Sequence, residues 1–234
     1  MSSTDLPLPP VRATGTLTLA AHGAALLTGA ATDLLPALEA VLAACPAKVA
    51  GTRLHDLPGL APLLGVEAIG AAAKEALGPA AQPVRAILFD KSDATNWALG
   101  WHQDRTIVVR ARAEAPGFGP WTVKQGMQHV APPFDLLARM VTLRVHLDPV
   151  PADNAPLLIA PGSHRLGRVA EADIEAAVAH CGVAACLAAP GDIWIYATPI
   201  LHASDRARVP ARRRVLQIDY SADTLPDGLE WLGV

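Results

Sequence analysis

At 234 residues the chain has room for one generous domain, and sandwiches and barrels reach this length as single units. A formal net charge of −3 leaves no basic stripe for nucleic acid. Although 51% of the residues are hydrophobic, the excess is Ala and Leu broken by Pro and Gly, so no apolar run is long enough to span a bilayer as a helix.

Three cysteines, Cys45, Cys181 and Cys186, make an odd set without metal-type spacing. Structural disulfides are therefore not expected, and a reducing, cytoplasmic setting is. Residues 1–10 lack a basic region followed by an apolar core, so no secretory signal is expected.

The chain opens on a polar, Pro-rich lead-in, and residues 14–19 alternate like a strand. Asp33 reads as the N-cap of a helix over 34–44. There Leu34, Leu35, Leu38, Val41 and Leu42 recur at helical spacing, and Pro36 falls in the tolerant first turn. Cys45-Pro46 ends that helix. Shorter helices over 58–64 and 66–77 follow, the second closed by Gly78-Pro79. After Pro83 the texture changes, and residues 84–89, 99–104 and 106–110 read as strands. Residues 114–133, studded with Pro116-Gly117, Gly119-Pro120, Gly126 and Pro132-Pro133, read as a long loop. Its Phe118, Trp121, Met127 and His129 suggest a lid over a site.

The clearest strand is 141–147. Val141, Leu143, Val145 and Leu147 share one face, and Thr142, Arg144 and His146 the other. The polar face would meet water in a lone strand, or line the site of a ligand-holding barrel. Further strands are expected over 157–160, 184–187, 192–197 and 212–220, with turns at Asp153-Asn154 and 161–164 and a helix over 171–181. Short strands after a helical lead predict a mainly β core of jelly-roll type with flanking helices. One domain is expected over 1–234, with a helical part at about 30–80 and the β core at about 84–222.

Within this frame, Trp97-Ala-Leu-Gly-Trp-His-Gln-Asp104 carries the chemistry. On an extended strand His102 and Asp104, two apart, point the same way and present an imidazole and a carboxylate to one place. His202, in Leu201-His-Ala-Ser204, completes a set of two histidines and one carboxylate, the ligand set of non-haem Fe(II) oxygenases. Alternation in the last strand sets Arg213 with Val215, Gln217 and Asp219, and Arg212 and Arg214 with Leu216, Ile218 and Tyr220. Only the first set has room inside a barrel for a charged head.

Trp-His102-Gln-Asp104, Asn154-Ala-Pro-Leu157, Pro161-Gly-Ser-His164, Gly191-Asp192, His202-Ala-Ser204 and Arg213-Arg-Val-Leu-Gln-Ile-Asp-Tyr220 occur in one order. The series resembles the phytanoyl-CoA dioxygenase family of Fe(II)- and 2-oxoglutarate-dependent oxygenases, over about residues 84–231. The resemblance implies a double-stranded β-helix, a form of jelly roll that is cupin-like. It also implies Fe(II), 2-oxoglutarate and dioxygen as cofactor, cosubstrate and oxidant, and oxidation of a C–H bond in a small molecule. By position it implies His102, Asp104 and His202 as iron ligands, and Arg213, Ser204, Arg144 and Thr142 around 2-oxoglutarate. Asp104 stands where the halogenating branch has a small residue, so hydroxylation or a related oxidation is implied. One departure is Asn154-Ala155, where the family commonly has Asn-Gly. An Ala fits that turn if the positive φ falls elsewhere.

For substrate contact the candidates are Asn96 beside the metal strand, His129 in the lid, His164 in a turn and Trp194 among the aromatics. Two other readings fit the same residues: a metal-bound hydrolase or isomerase without a keto acid, for which Arg213 is dispensable, and a non-catalytic small-molecule binder.

Overall fold

The structure, a computed structural model, describes residues 11–12, 17–46 and 49–234. In chain order the elements are β1 (Val11–Arg12), α1 (Leu19–His22), β2 (Ala24–Leu27), α2 (Leu35–Leu42), β3 (Thr52–Leu54), α3 (Leu60–Leu64), α4 (Ala71–Leu77) and β4 (Gln82–Lys91). Next come β5 (Leu99–His102), β6 (Ile107–Val109), β7 (Trp121–Lys124), β8 (Met127–Val130), α5 (Phe134–Ala138) and β9 (Val141–His146). The chain closes with β10 (Leu157–Ile159), α6 (Ile174–Cys181), β11 (Val183–Cys186), β12 (Ile193–Ala197), β13 (His202–Ser204) and β14 (Arg213–Ser221).

Among the described residues the strands form sheets ordered β1-β11-β10-β13-β5, β2-β12-β9-β14-β4-β3 and β6-β8-β7. Pairing is antiparallel apart from β1 with β11. This is the mainly β, jelly-roll architecture expected, although the sheets do not close into a barrel.

Strand alternation explains the layers. One face of the six-stranded sheet carries Leu143, Val145, Leu216, Ile218 and Tyr220, which pack with Leu38 and Leu42 of α2 and Leu60 and Leu64 of α3. The Tyr220 hydroxyl donates to the Leu64 carbonyl at 2.7 Å, so the helical layer is held by a polar bond as well as by apolar burial. In the five-stranded sheet Leu158 and Ala203 face outward against Ile174 and Val178 of α6. The two inner faces meet through Leu157, Ile159, Ala184 and Cys186 on one side and Trp194 and Tyr196 on the other. Among the described residues no helix is long and apolar enough to cross a membrane.

Several expectations are corrected. The strand read over 14–19 lies partly outside the described residues, and Leu19 instead opens α1, capped by the Thr18 hydroxyl. Asp33 makes no side-chain cap; it lies in a 3-10 turn, Thr32–Leu34, that leads into α2. The supposed lid loop holds the β7–β8 hairpin, whose two-residue turn, Gln125-Gly126, takes φ of 50° and 79°. A Gln in the place usual for Asn hid this turn from composition. Strands β2 and β3 and helix α5 were not expected from the sequence at all.

The Asn154-Ala155 turn departs from expectation as well: the positive φ falls on Ala155 itself, at 50°, not elsewhere. Left-handed backbone costs a non-glycine residue about 1–2 kcal/mol, while a Gly loses about 0.4–1 kcal/mol through the freedom of its unfolded chain. Ala155→Gly is therefore expected to raise stability by about 0.5–1 kcal/mol, measured by urea denaturation; a loss of stability would show that this turn is not strained.

Candidate metal centre

β13 and β5 pair so that His202 lies directly opposite His102, with ring centroids 4.3 Å apart. His102 is the last residue of β5, so Asp104 lies beyond the strand end and not along it as the i, i+2 argument assumed. The ligand atoms of His102, Asp104 and His202 nevertheless lie within 4.8 Å of one another. Gln103 makes this work. Its buried amide donates to the Pro199 and Gly167 carbonyls at 2.8 and 3.0 Å and accepts from the Val169 amide at 2.9 Å. The segment between the two ligands is thereby pinned to the chain that leads into β13.

Both imidazoles are oriented by backbone. Nδ1 of His102 lies 2.8 Å from the Gly100 carbonyl, and Nδ1 of His202 lies 2.9 Å from that of Ile200. A carbonyl only accepts, so each Nδ1 carries the proton and each Nε2 keeps its lone pair for a metal. Burial pushes His202 down to about 4, so it is neutral at pH 7 as a ligand must be. Asp104 meets Arg85 at 3.5 Å, and Arg85 binds Asp219 at 2.5 Å. Burial opposes ionisation of Asp104, but Arg85 and the two histidines outweigh it and hold its carboxyl below the usual range. Two histidines and a carboxylate, turned inward from one side, fit Fe(II) with open positions toward the cleft.

That cleft has a volume of about 370 Å³. Along its floor the inner face of β4 presents Arg85, Ile87, Phe89 and Lys91, and β9 and β14 add Arg144, Arg213 and Gln217. Arg213 is only 2% exposed, as the alternation required; its Nη1 donates to the Ala155 carbonyl at 2.6 Å and its Nε has no partner among the described residues. Burial, then Arg144, push its pKa down to about 9. Arg144 donates to Gln217 at 2.8 Å and lies over the Phe89 ring. Lys91 donates to the Ser204 hydroxyl at 3.0 Å and the Asp205 carbonyl at 2.9 Å. Burial, with Arg213 and Arg144, pushes Lys91 down to about 7. Arg212 and Arg214 turn away, to Asp90 and to Asp148 and Glu39.

Ser204, Arg144 and Arg213 thus line the same cleft as the three metal-type ligands. Thr142 does not: its hydroxyl is committed to Asp219 at 2.9 Å and Thr198 at 3.0 Å, behind Arg85. The four substrate candidates also lie outside the cleft lining. Asn96 spends both ends of its amide on Ala207, and Trp194 is buried between the sheets with its indole N–H on the Leu187 carbonyl. His164 packs against Gly23, where even a Cβ would collide with its ring. His129 is wholly buried in β8. Sequence reasoning did not assign Arg85, Arg53 and Lys124 to the site and left Lys91 open between the mouth of the site and the surface; single charges in strands resemble solvent-facing residues until the sheet edges are known.

The phytanoyl-CoA dioxygenase family model matches residues 52–215. No curated protein matches the sequence. Among solved structures the chain is similar to EctD from S. alaskensis with 2-oxoglutarate and 5-hydroxyectoine, at 17% identity and a TM-score of 0.65, covering 100% of this chain and 83% of that one. It is similar to HygX from Streptomyces hygroscopicus with nickel, 2-oxoglutarate and hygromycin B bound, at 14% identity and a TM-score of 0.59, covering 87% and 84%. The carbocyclase SnoK from nogalamycin biosynthesis aligns at 16% identity and a TM-score of 0.61, covering 92% and 85%. At these identities the likeness is one of fold.

Two buried histidines near the cleft have no hydrogen-bond partner for either ring nitrogen among the described residues: His129 and His146. Burial first, and neighbouring cations second, push them down to about 4 and about 3. In the unfolded chain both titrate near pH 6.5. Their neutral burial is therefore fully tolerated above about pH 6.5, and stability falls as acid protonates the unfolded state in preference. With His202, which burial also pushes down to about 4, three histidines act together. The stability of the metal-free protein, measured by thermal unfolding, is therefore expected to drop between pH 6.5 and 4 by roughly 4 kcal/mol per pH unit at the steepest. His146→Leu should flatten that slope by about a third, and an unchanged slope would remove His146 from the account.

Proposed function

The chain belongs to the phytanoyl-CoA dioxygenase family of Fe(II)- and 2-oxoglutarate-dependent oxygenases, and on that premise we propose which of its residues hold iron, cosubstrate and substrate. His102, Asp104 and His202 hold the metal. Arg213 takes the distal carboxylate of 2-oxoglutarate, with Ser204, Lys91 and Arg144 around it. The observation that carries this reading is the joint one. Among the described residues, three metal-type ligands with both Nε2 atoms free, and a buried guanidinium with an unpartnered Nε, open on one cleft.

When bound, the iron and the keto acid supply the oxidising power: dioxygen is consumed, 2-oxoglutarate becomes succinate and carbon dioxide, and a substrate C–H bond is oxidised. The protein's own work is positional. The Gly100 and Ile200 carbonyls fix the tautomers of His102 and His202, and Arg85, braced by Asp219, holds Asp104 in place. Arg213 offers a planar fork with an always-charged head, which suits a carboxylate better than a lysine would. Lys91 adds a second cation whose deprotonation is easy without an anion beside it; a bound diacid favours its charged form. Phe89, Ile87, Trp97 and Leu157 supply apolar walls that keep water from the reacting atoms. With a carboxylate at 104, hydroxylation of a small molecule is the favoured outcome. The free thiols Cys45, Cys181 and Cys186 suit a cytoplasmic enzyme.

Anaerobic addition of Fe(II) and 2-oxoglutarate should produce a weak visible charge-transfer band. Removing one side of a buried charge pair costs roughly 2–5 kcal/mol, so Arg213→Ala should weaken 2-oxoglutarate about 30-fold or more. His202→Ala should abolish the band by losing the metal. A band absent from the intact protein, or turnover with zinc that survives Arg213→Ala, would overturn the assignment.

A further inference from the structure

The cleft is far more basic than iron and cosubstrate require. Arg53, Arg85, Lys91, Lys124, Arg144 and Arg213 line it, against the single carboxylate of Asp104. These cations divide into two groups. Lys91, Arg144 and Arg213 act on one another and sit at the Ser204 end. Arg53 and Lys124 lie at the rim formed by β3 and the β7–β8 turn, where Arg85 acts on Arg53, and Arg53, Arg85 and Lys124 together bear on His129. From Arg85 to Lys91 the cleft floor runs along seven residues of β4, about 20 Å of strand, with Asp104 against its Arg85 end and Ser204 against its Lys91 end.

A ferrous ion, a 2-oxoglutarate dianion and Asp104 bring one net negative charge among them. The first group of cations already exceeds it. Arg85 is matched by Asp219. Arg53 and Lys124 remain, and neither forms an ion pair among the described residues. The Arg53 Nε is buried without a partner among the described residues. Their placement is also built. Arg53 pairs with Ile87 in the β3–β4 register, so it shares the inner face. Gln125 accepts from the Arg53 amide at 3.0 Å and donates to the Gly51 carbonyl at 3.0 Å, which straps the β7–β8 turn to β3 and keeps Lys124 at the same rim.

We propose that the substrate is a small organic anion, a carboxylic acid or phosphate ester, whose charged group is received by Arg53 and Lys124 while its apolar body lies along Ile87 and Phe89 toward the metal. The proposal rests on the oxygenase reading above. Two unneutralised cations at the mouth of a low-dielectric cleft focus a positive field, which favours entry of an anion and fixes which end faces the iron. The volume of about 370 Å³ lies near the lower end of the roughly 300–1,000 Å³ usual for small-molecule sites, and the cosubstrate shares it. The part of the substrate that reaches the centre is therefore short.

The test uses the anaerobic protein–Fe(II)–2-oxoglutarate complex. A panel of short carboxylic acids and alkyl phosphates, each paired with its neutral amide or alcohol, is scored by perturbation of the visible band, and then by extra succinate on admitting air. Hits are expected in the anionic half, and the balance between carboxylates and phosphates identifies the source of the charge. For the best hit, Arg53→Gln and Lys124→Gln should each raise Kd about tenfold, Arg53→Lys should keep most of the affinity, and Kd for 2-oxoglutarate should move less than threefold. Hits from the neutral half, no hits at all, or hits indifferent to both Gln variants would overturn the anion proposal while the band itself leaves the oxygenase reading standing. Absence of the band would overturn both.

Discussion

The site depends on the pairing of β13 with β5. Placing His202 opposite His102 brings two imidazoles from segments a hundred residues apart to within a ring's width, and the backbone carbonyls two residues before each fix how they face. The bulge between His202 and Ser204 then separates the imidazole from the hydroxyl that meets Lys91. Gln103 performs the same service for Asp104, which no longer has a strand to direct it. A ligand set held by ladder, carbonyls and one buried amide needs little rearrangement to receive an ion.

The inner face of the six-stranded sheet carries an opposite tension. Burying Arg144, Arg213 and Lys91 side by side is costly, and their neighbours show it: Lys91 is pushed down to about 7 and His146 to about 3. Among the described residues that cost is offset in part by backbone carbonyls, the Ser204 hydroxyl, Asp205, Gln217 and the Phe89 and Trp97 rings. An anionic cosubstrate would. The strain is held in place by the apolar outer face of the same strands, where Leu143, Leu216 and Tyr220 lock onto the helices.

Much of this was legible in sequence wherever alternation was regular. In β9 the polar set Thr142, Arg144 and His146 turned inward, and in β14 the same rule separated Arg213 from Arg214. What failed was whatever depended on loops. Asn96 and His164 looked available for substrate, yet their side chains close the loops that carry them, against Ala207 and Gly23. Thr142 shared the right face but sits where the sheet is sealed, so its hydroxyl serves Asp219. Arg53 and Lys124 lie in short, weakly patterned strands, and only strand order reveals that they border a cleft.

That order also explains why the sheets stop short of closure. β5 ends one sheet and β3 the other, and both contribute to the walls around the metal-type ligands. Unpaired edges invite aggregation unless they are covered, bent or charged. Here β3 carries Arg53 and is partly covered by the β7–β8 turn through Gln125. β5 is short and presents Gly100 and a half-exposed Leu99 beside the opening. An inward-pointing charge on an edge strand disfavours pairing with another chain, and in β3 that charge is Arg53, which faces the cleft. Edge protection and substrate selection therefore act through one residue, and a substitution that neutralised Arg53 would weaken both together.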